Sequence, residues 1–333
     1  ECINSENKQG KDLADGVTAI YTSGSDYENV YPAWEWARLP GTTEVHVGST
    51  YTCDSIQDVV HPTWVGAVSD GEDGVAGGGN GVLALHFRRG HSIHLFANKA
   101  YFMLDDMVVC AGSNVSSTTT AYPITTTFDQ RPLRTPVSVW ASPSSEPTVQ
   151  SPGANTTYPA ASHALWHDNV AFVAVGGAGF GAPMVVSTMN QTGSLAAITQ
   201  GPDTPITMPV FTAFVDHGLL GASPPTTYAY AIVPAVGEAD MPATFAAVAG
   251  VVLLNNTATH QAVCRASSEA WTLQAVLSAG GQTVAGAAAG CVDVVASTPV
   301  ILLARGALEK QFTLAVSNPE PQFRPLSVLL TFS

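Results

Sequence analysis

The amino-acid sequence predicts an all-β protein built from packed antiparallel sheets, and three observations support this prediction. Apolar and polar residues alternate with a period of two in many short stretches. Glycine and proline, 30 and 22 of the 333 residues, occur throughout and supply turns between these stretches. Patterns with the period of an α-helix and capping residues at their ends are hard to find. We therefore expect a large antiparallel β-sandwich followed by a smaller C-terminal β-sandwich.

Individual strands can be recognised from this alternation. Residues 228–233 alternate between aromatic or branched residues and alanine or valine, and the stretch ends at Pro234. Residues 91–96 predict a further strand, and residues 170–175 are apolar enough for a strand buried on both faces. Period-two spacing places four residues of another strand on one face: Trp271, Leu273, Ala275 and Leu277.

A domain boundary is predicted between Pro234 and Pro242, where turn and polar residues carry no strand pattern. Residues 1–238 would form the large sandwich, and residues 239–333 the smaller one, which has a size that folds alone. Residues 141–161 are rich in Ser, Pro, Gly and Thr and predict an exposed loop.

The charge of the chain limits its partners. The formal net charge is -14, from 12 basic and 26 acidic residues. Nucleic acid needs clustered Lys and Arg, and no such cluster is present in the sequence, so nucleic acid is excluded as a partner. No apolar run is long enough to span a bilayer, so no membrane partner is expected. The same acidic charge is unfavourable for holding an anionic polysaccharide.

Two features favour a secreted, extracellular protein. Asn-X-Ser/Thr glycosylation sequons begin at Asn114, Asn155, Asn190 and Asn255. The five cysteines are too widely spaced for a zinc finger or a Cys-X-X-Cys redox site. In an oxidising compartment Cys264 and Cys291 can bridge two strands of the smaller sandwich. Because the number of cysteines is odd, we expect Cys2 to be left over, or to pair with a segment outside this chain.

Several motifs resemble those of polysaccharide lyase family 8, the hyaluronate, chondroitin AC and xanthan lyases. Residues 1–7 carry Glu-X-X-Asn-X-Glu-Asn, and residues 26–43 contain Tyr-Pro-Ala-Trp-Glu-Trp and Leu-Pro-Gly-Thr-Thr. Both are similar to the start of the family's β region. Further matching motifs follow in the family's order at residues 99–102, 105–109, 125–131, 166–170, 216–218 and 228–234.

The resemblance implies one part of a two-part enzyme. In this family an N-terminal α/α toroid precedes a large β-supersandwich and a small C-terminal sandwich, and the cleft lies between toroid and sheets. The reaction is β-elimination at a uronic acid, with the main catalytic residues on the toroid. We therefore expect an upstream toroid domain or chain and an acidic polysaccharide as partners. Only Glu1 and Asn4 carry over as catalytic residues on the cleft wall; alternatively they are a polar strand entry without function.

Other candidate residues have competing interpretations. Trp34 and Trp36 at positions i and i+2 would share a strand face, which suits a carbohydrate-binding platform or equally a packed core. His91 and His94 are three apart and would lie on opposite faces of a strand, so no metal site is expected. His217 is expected to make a structural hydrogen bond. No cofactor is predicted, and a structural Ca²⁺ ion is left open.

Two functions are consistent with the sequence. In the first, the chain is the β-sandwich part of a secreted lyase that cleaves uronic-acid-containing polysaccharide, and is inactive without its toroid. In the second, it is a non-catalytic carbohydrate-binding or structural extracellular glycoprotein module. The scarcity of Lys and Arg favours the second, and the Glu-X-X-Asn motif favours the first.

Overall fold

The chain folds into antiparallel sheets joined by turns and short helices, as seen in a computed structural model. The all-β fold class predicted from the sequence is confirmed. The structure describes residues 6–46, 64–71, 79–89, 95–177, 179–221, 224–307, 312–319 and 325–331.

The strands of the N-terminal part precede helix α1. They are β1 (Thr43–Val45), β2 (Val65–Ser69), β3 (Gly81–Arg89), β4 (Leu95–Leu104), β5 (Met107–Ser117), β6 (Ile124–Pro132), β7 (Val137–Trp140), β8 (Thr148–Gln150), β9 (Asn155–Tyr158), β10 (Ala164–His167), β11 (Val170–Ala174), β12 (Met184–Ser187) and β13 (Asn190–Gly193).

The later elements include two α-helices. They are α1 (Leu195–Ile198), β14 (Ile206–Gly218), β15 (Thr226–Pro234), α2 (Met241–Ala249), β16 (Val251–Asn256), β17 (His260–Ala266), β18 (Ala270–Leu277), β19 (Thr283–Val284), β20 (Asp293–Ala296), β21 (Val300–Ala307), β22 (Phe312–Ser317) and β23 (Val328–Thr331). Short 3₁₀ turns cover Gly10–Asp12, Tyr31–Ala33, Glu238–Asp240 and Ala287–Ala289. None of the helices in the described ranges is long and apolar enough to cross a membrane.

The described strands form four sheets. A six-stranded sheet has the order β1-β6-β14-β12-β9, with β13 also paired to β14. A nine-stranded sheet has the order β2-β3-β4-β5-β15-β11-β10-β7-β8. A five-stranded sheet, β16-β17-β18-β21-β22, and a three-stranded sheet, β19-β20-β23, are built from the C-terminal part.

The nine-stranded sheet lies between two hydrophobic cores, and alternate side chains of β15 point into one or the other. Tyr228, Tyr230 and Ile232 point into a core shared with the six-stranded sheet. Ala229 and Ala231 point into a second core shared with α2 and the five-stranded sheet. The period-two alternation in the sequence thus separates large residues on one face from small residues on the other. Strand β11 is buried along its whole length, as its apolar sequence predicts.

A third core fills the smaller sandwich, between the five-stranded and three-stranded sheets. All four residues that the sequence places on one strand face lie in it: Trp271, Leu273, Ala275 and Leu277. A disulfide joins Cys264 in β17 to Cys291, which precedes β20. The pairing predicted in the sequence analysis is therefore present, but it joins one strand to the turn before β20 rather than two strands. Cys110 is a buried free thiol.

The domain division at residues 238 and 239 stays a prediction. Among the described strands, no sheet combines strands from both sides of it. The second core nevertheless crosses it, because Val263, Val276 and Ile301 pack against the nine-stranded sheet. The predicted exposed loop at residues 141–161 is wrong in part, since it contains β8 and β9, which add short edge strands to the two large sheets.

Candidate functional site

The segment before β1 is fastened to the nine-stranded sheet by two side chains of β4. The buried Lys99 Nζ donates hydrogen bonds to the carbonyl oxygens of Asp15 at 2.8 Å and Gly41 at 2.7 Å. The Tyr101 hydroxyl donates to the Gly16 carbonyl at 2.7 Å. Burial lowers the pKa of Lys99 to about 8. These two residues belong to the motif at residues 99–102, so that motif anchors the N-terminal segment.

A buried ionic cluster provides a second attachment of the same segment. The Arg89 guanidinium donates to the carboxylates of Asp12, Asp15 and Glu44, and all four side chains are at most 3% exposed. The three carboxylates lie close enough together to share a metal ion, but the Arg89 guanidinium occupies the space among them. Burial raises the pKa of Glu44 well above its usual range, and Arg89 opposes this shift.

An aromatic shelf lies on the outer side of the N-terminal segment. We use this name for Tyr21, Tyr31, Trp34 and Trp36. Three of its rings meet edge to face: centroids are 4.9 Å apart for Tyr31 and Trp34, and 5.5 Å apart for Trp34 and Trp36, while Tyr21 joins Tyr31 through its hydroxyl. The expected strand through the two tryptophans is wrong, because a 3₁₀ turn at Tyr31–Ala33, with Pro32 in its first turn, leads into irregular backbone.

The two tryptophans have different environments. Trp34 is half-buried and packs against the small core of Tyr27, Val30 and Val210. Its indole Nε1 donates to the Gln130 carbonyl at 2.9 Å. Trp36 donates its Nε1 to the Tyr31 carbonyl at 3.1 Å, a bond on the exposed side. Trp34 is therefore anchored on the small core, whereas Trp36, which is also half-buried, is bonded to the backbone of the neighbouring turn.

Strand β6 holds the segment that carries the shelf through side-chain hydrogen bonds. The Tyr27 hydroxyl donates to the buried Asp129 carboxylate at 2.9 Å, and Arg131 donates to the same carboxylate at 2.5 Å. The Gln130 side chain accepts from the Glu35 backbone N–H at 2.9 Å and donates to the Arg38 carbonyl at 2.9 Å. The motifs at residues 26–43 and 125–131, which are distant in sequence, therefore contact each other.

Next to the shelf lies a polar group that resembles a proton relay. His46 Nε2 is 2.8 Å from Thr125 Oγ1, and its Nδ1 is 3.8 Å from the Glu35 carboxylate. Arg38 donates to both Glu35 oxygens at 3.1 Å and lies over the Phe214 ring at 3.6 Å from its centroid. Burial and the Arg38 charge lower the pKa of His46 to about 3. An imidazole with so low a pKa is a poor general base at neutral pH.

Other histidines in the described residues are also poor candidates for the base of an elimination. His217 Nε2 is within 2.9 Å of Thr126 Oγ1, consistent with a structural hydrogen bond, and burial lowers its pKa to about 4. His167 is buried and stacked on Phe211, and burial lowers its pKa well below the usual range. We infer that these imidazoles serve packing and positioning.

Several predicted site residues are not brought together. Glu1 and Asn4, and also His91 and His94, lie outside the described residues. The sequons at Asn155 and Asn190 have exposed asparagines, whereas Asn114 and Asn255 are half-buried.

Sequence reasoning missed the Arg89 cluster and the tyrosines of the shelf. The only signal for the cluster was an arginine at the end of an apolar strand. Its partners are 45 or more positions away in the chain, so local pattern could not reveal them. The two tyrosines carry no local pattern that separates them from ordinary surface residues.

Comparisons with known proteins place these features in a family. A family model described as polysaccharide lyase family 8, super-sandwich domain, matches residues 1–245. The chain is 29% identical over 259 residues to a chondroitinase-AC of Pedobacter heparinus, which covers 77% of this chain and 34% of that protein. It is 36% identical over 141 residues to a hyaluronate lyase of Thermasporomyces composti, covering 40% of this chain and 16% of that protein. The chain thus spans about a third or less of these relatives.

Solved structures show the same fold. A chondroitinase AC lyase studied with oligosaccharides superposes with a TM-score of 0.81 at 23% identity, covering 99% of this chain and 47% of that chain. A Paenibacillus xanthan lyase superposes with a TM-score of 0.76 at 22% identity, covering 96% of this chain and 29% of that chain. At these identities the likeness establishes the fold of the chain.

Proposed function

Because the chain belongs to polysaccharide lyase family 8, we propose that it is the β-sandwich part of a secreted lyase that cleaves a uronic-acid-containing polysaccharide by β-elimination. The observation that carries this proposal is the match of the super-sandwich domain to residues 1–245. Relatives similar to this chain are named for chondroitin and hyaluronate. The disulfide at Cys264 and Cys291 fits an oxidising compartment, where such bonds persist.

The chemistry requires a base and a partner for the carboxylate, and the histidines and arginines described above do not combine the two. Removing the proton at C5 of a uronic acid needs a base of suitable pKa and a cationic or hydrogen-bonding partner for the adjacent carboxylate. In the described chain, His46, His167 and His217 have lowered pKa values, and Arg38, Arg89 and Arg131 are bound to carboxylates. In this proposal the base therefore comes from a toroid, while the sandwich forms the opposite cleft wall.

On this wall, Glu1 and Asn4 would orient the catalytic residues of the toroid and bond a sugar hydroxyl. Trp34 and Trp36 would contact the polysaccharide nearby. The anchoring of residues 6–46 by Arg89 and Lys99 supports this arrangement, because a cleft wall works only if it is held in one position.

A second function is a non-catalytic carbohydrate-binding or structural glycoprotein module. The observation that favours it is the net charge of -14, which is unfavourable for gripping a polyanion in the absence of a basic partner. In this alternative the aromatic shelf binds sugar without turnover. The exposed sequons at Asn155 and Asn190 would carry glycans in either function.

An activity assay on two samples separates the two functions. The intact native protein that contains this chain is incubated with hyaluronan, chondroitin sulfate or xanthan, and ultraviolet absorbance from unsaturated uronides is followed. We expect the intact protein to produce this absorbance and a matched sample of residues 1–333 alone to produce none. A folded intact protein that binds these polysaccharides without any absorbance change would contradict the lyase function and support the module.

A further inference from the structure

The outer members of the aromatic shelf offer a specific combination of groups. Tyr21 is 54% exposed and Tyr31 is 38% exposed. Their hydroxyl oxygens are 3.1 Å apart, so one donates to the other and the pair keeps donor and acceptor capacity toward solvent. A tyrosine phenol is neutral at pH 7, and burial and the Tyr21 contact raise the pKa of Tyr31 further, to about 12.

Trp36 adds an apolar surface to this pair. Its indole N–H is already bonded to the Tyr31 carbonyl at 3.1 Å. A ligand at Trp36 therefore meets the ring itself rather than its polar N–H group. Trp34 is held between Tyr31 and Trp36 by edge-to-face contacts and by its own bond to Gln130. This fixes the orientation of both outer rings before any ligand arrives.

The charges around the shelf disfavour a carboxylate ligand. Glu28 is exposed, and the Glu35 side chain is 47% exposed. Arg38 is only 14% exposed and donates to both oxygens of Glu35. Arg134 donates to the Ser25 carbonyl and lies 3.6 Å from the Asp168 carboxylate. A uronate bound at Trp36 would meet the exposed carboxylate of the adjacent Glu35, and the Arg38 guanidinium is already engaged by that carboxylate.

We propose that Tyr21, Tyr31 and Trp36 form a subsite for a neutral sugar ring, such as an N-acetylhexosamine, of the polysaccharide. The apolar C–H face of the ring packs on Trp36, and sugar hydroxyls exchange hydrogen bonds with the two phenols. The uronate neighbours in the polysaccharide are then recognised elsewhere. This inference rests on the proposed function only in taking a polysaccharide as the ligand.

The test compares a neutral with an acidic ligand. Residues 1–333 are titrated with a tetramer of N-acetylglucosamine and, separately, with a hyaluronan tetrasaccharide, each at low and high salt. Binding is followed by calorimetry and saturation-transfer NMR. We expect the neutral tetramer to bind with an affinity that does not change with salt, because no ion pair forms. Absence of neutral-tetramer binding, or binding that weakens strongly with salt, would overturn the proposal.

Variants locate the subsite. Trp36→Ala is expected to weaken binding of the neutral tetramer about tenfold, the loss of one aromatic contact. Tyr31→Phe should weaken it by a smaller factor, because only a hydroxyl is lost. The control, Phe312→Ala, removes an aromatic ring that is 48% exposed on the distant strand β22, and should leave binding unchanged.

The binding results for the variants and the lyase activity of the intact protein can be judged separately. Equal binding by Trp36→Ala and the unsubstituted chain would refute the subsite even if the intact protein is an active lyase. Binding to residues 1–333 but not to the intact protein would also refute it, because another segment would then cover the shelf. A bound neutral tetramer together with an inactive intact protein would support the subsite and contradict the lyase function.

Discussion

Arg89 and Glu44 form a hydrogen-bonded ion pair at 2.6 Å, with each side chain at most 3% exposed. Arg89 stands at the end of β3 and Glu44 in the short strand β1, so the pair joins the nine-stranded sheet to the six-stranded sheet. Asp12 and Asp15 from the preceding segment complete the coordination of the guanidinium. This cluster fixes the segment that leads to the aromatic shelf.

Replacing Arg89 tests the importance of the cluster. Arg89→Met leaves three buried carboxylates without their main counter-charge, so we expect the free energy of unfolding to fall by about 3–5 kcal/mol. Chemical denaturation measures the change. The matched control is Arg265→Met, which breaks a partly exposed pair with Asp106 and should cost less than about 1 kcal/mol. Equal effects of the two substitutions would contradict the role given to the buried cluster.

The raised pKa of Glu44 predicts how stability depends on pH. A carboxyl with a raised pKa in the folded chain binds its proton more tightly there than in the unfolded chain. Its contribution to stability is therefore full below the unfolded pKa, near 4.5, and is lost as the pH rises through the folded pKa. Asp15 shifts in the same direction and adds to this loss.

We expect the Glu44 contribution to the free energy of unfolding to decline as the pH rises above about 4.5, whereas buried histidines such as His46 and His217, whose pKa is lowered, contribute in the opposite direction. Glu44→Gln keeps an oxygen that accepts from Arg89 but cannot titrate, so the free energy of the unsubstituted chain should fall relative to that of the variant as the pH rises. Unfolding by denaturant at a series of pH values compares the two. Identical slopes for both proteins would show that Glu44 does not carry the shift.

The two tryptophans of the shelf should differ in their effect on stability. Trp34→Ala removes a ring that packs against the core of Tyr27, Val30 and Val210, so we expect a loss of about 3 kcal/mol. Trp36→Ala removes a half-buried ring that is not part of this core and should cost less, about 1–2 kcal/mol. Thermal and chemical unfolding of both variants check this difference. A larger loss of stability for Trp36→Ala than for Trp34→Ala would contradict the role of Trp34 as the anchored ring.

The disulfide should stabilise the smaller sandwich. Cys264 and Cys291 are separated by 27 positions, and closing a loop of this size typically contributes about 2–4 kcal/mol. We expect the double variant Cys264→Ser with Cys291→Ser to unfold at correspondingly lower denaturant. Adding reductant should shift the unsubstituted chain toward the double variant and leave the double variant unchanged. If reductant shifts both equally, the stabilisation arises from another thiol or disulfide.

The fold class can be predicted from the sequence because buried side chains recur at every second residue of a strand. In β15, Tyr230 and Ala231 reach opposite cores, and the alternation alone separates them. The family resemblance further predicts that a large sandwich precedes a smaller one. The composition of residues 141–161 predicts a loop because short edge strands such as β8 and β9 are partly exposed and are rich in the same polar residues as loops.

The candidate site is harder to predict from the sequence because it depends on contacts between segments that are distant in the chain. The spacing of Trp34 and Trp36 predicts a shared strand face, but the backbone turns at Pro32, so the two rings do not lie on one strand. Trp34 is hydrogen-bonded to Gln130, 96 positions away in the chain, and Glu44 is hydrogen-bonded to Arg89, 45 positions away. No periodic pattern in either segment carries such information.

The measurement that tests the central claim most directly is the chemical structure of the product ends. The intact native protein is incubated with hyaluronan or chondroitin sulfate, and the oligosaccharides are analysed by mass spectrometry and NMR. β-Elimination adds no water and leaves a C4–C5 double bond at the new non-reducing end, which is the predicted result. Saturated ends with water added would show hydrolysis, and intact polysaccharide with a folded, sugar-binding protein would show no cleavage. Either of these results would contradict the assignment of this chain to a working lyase.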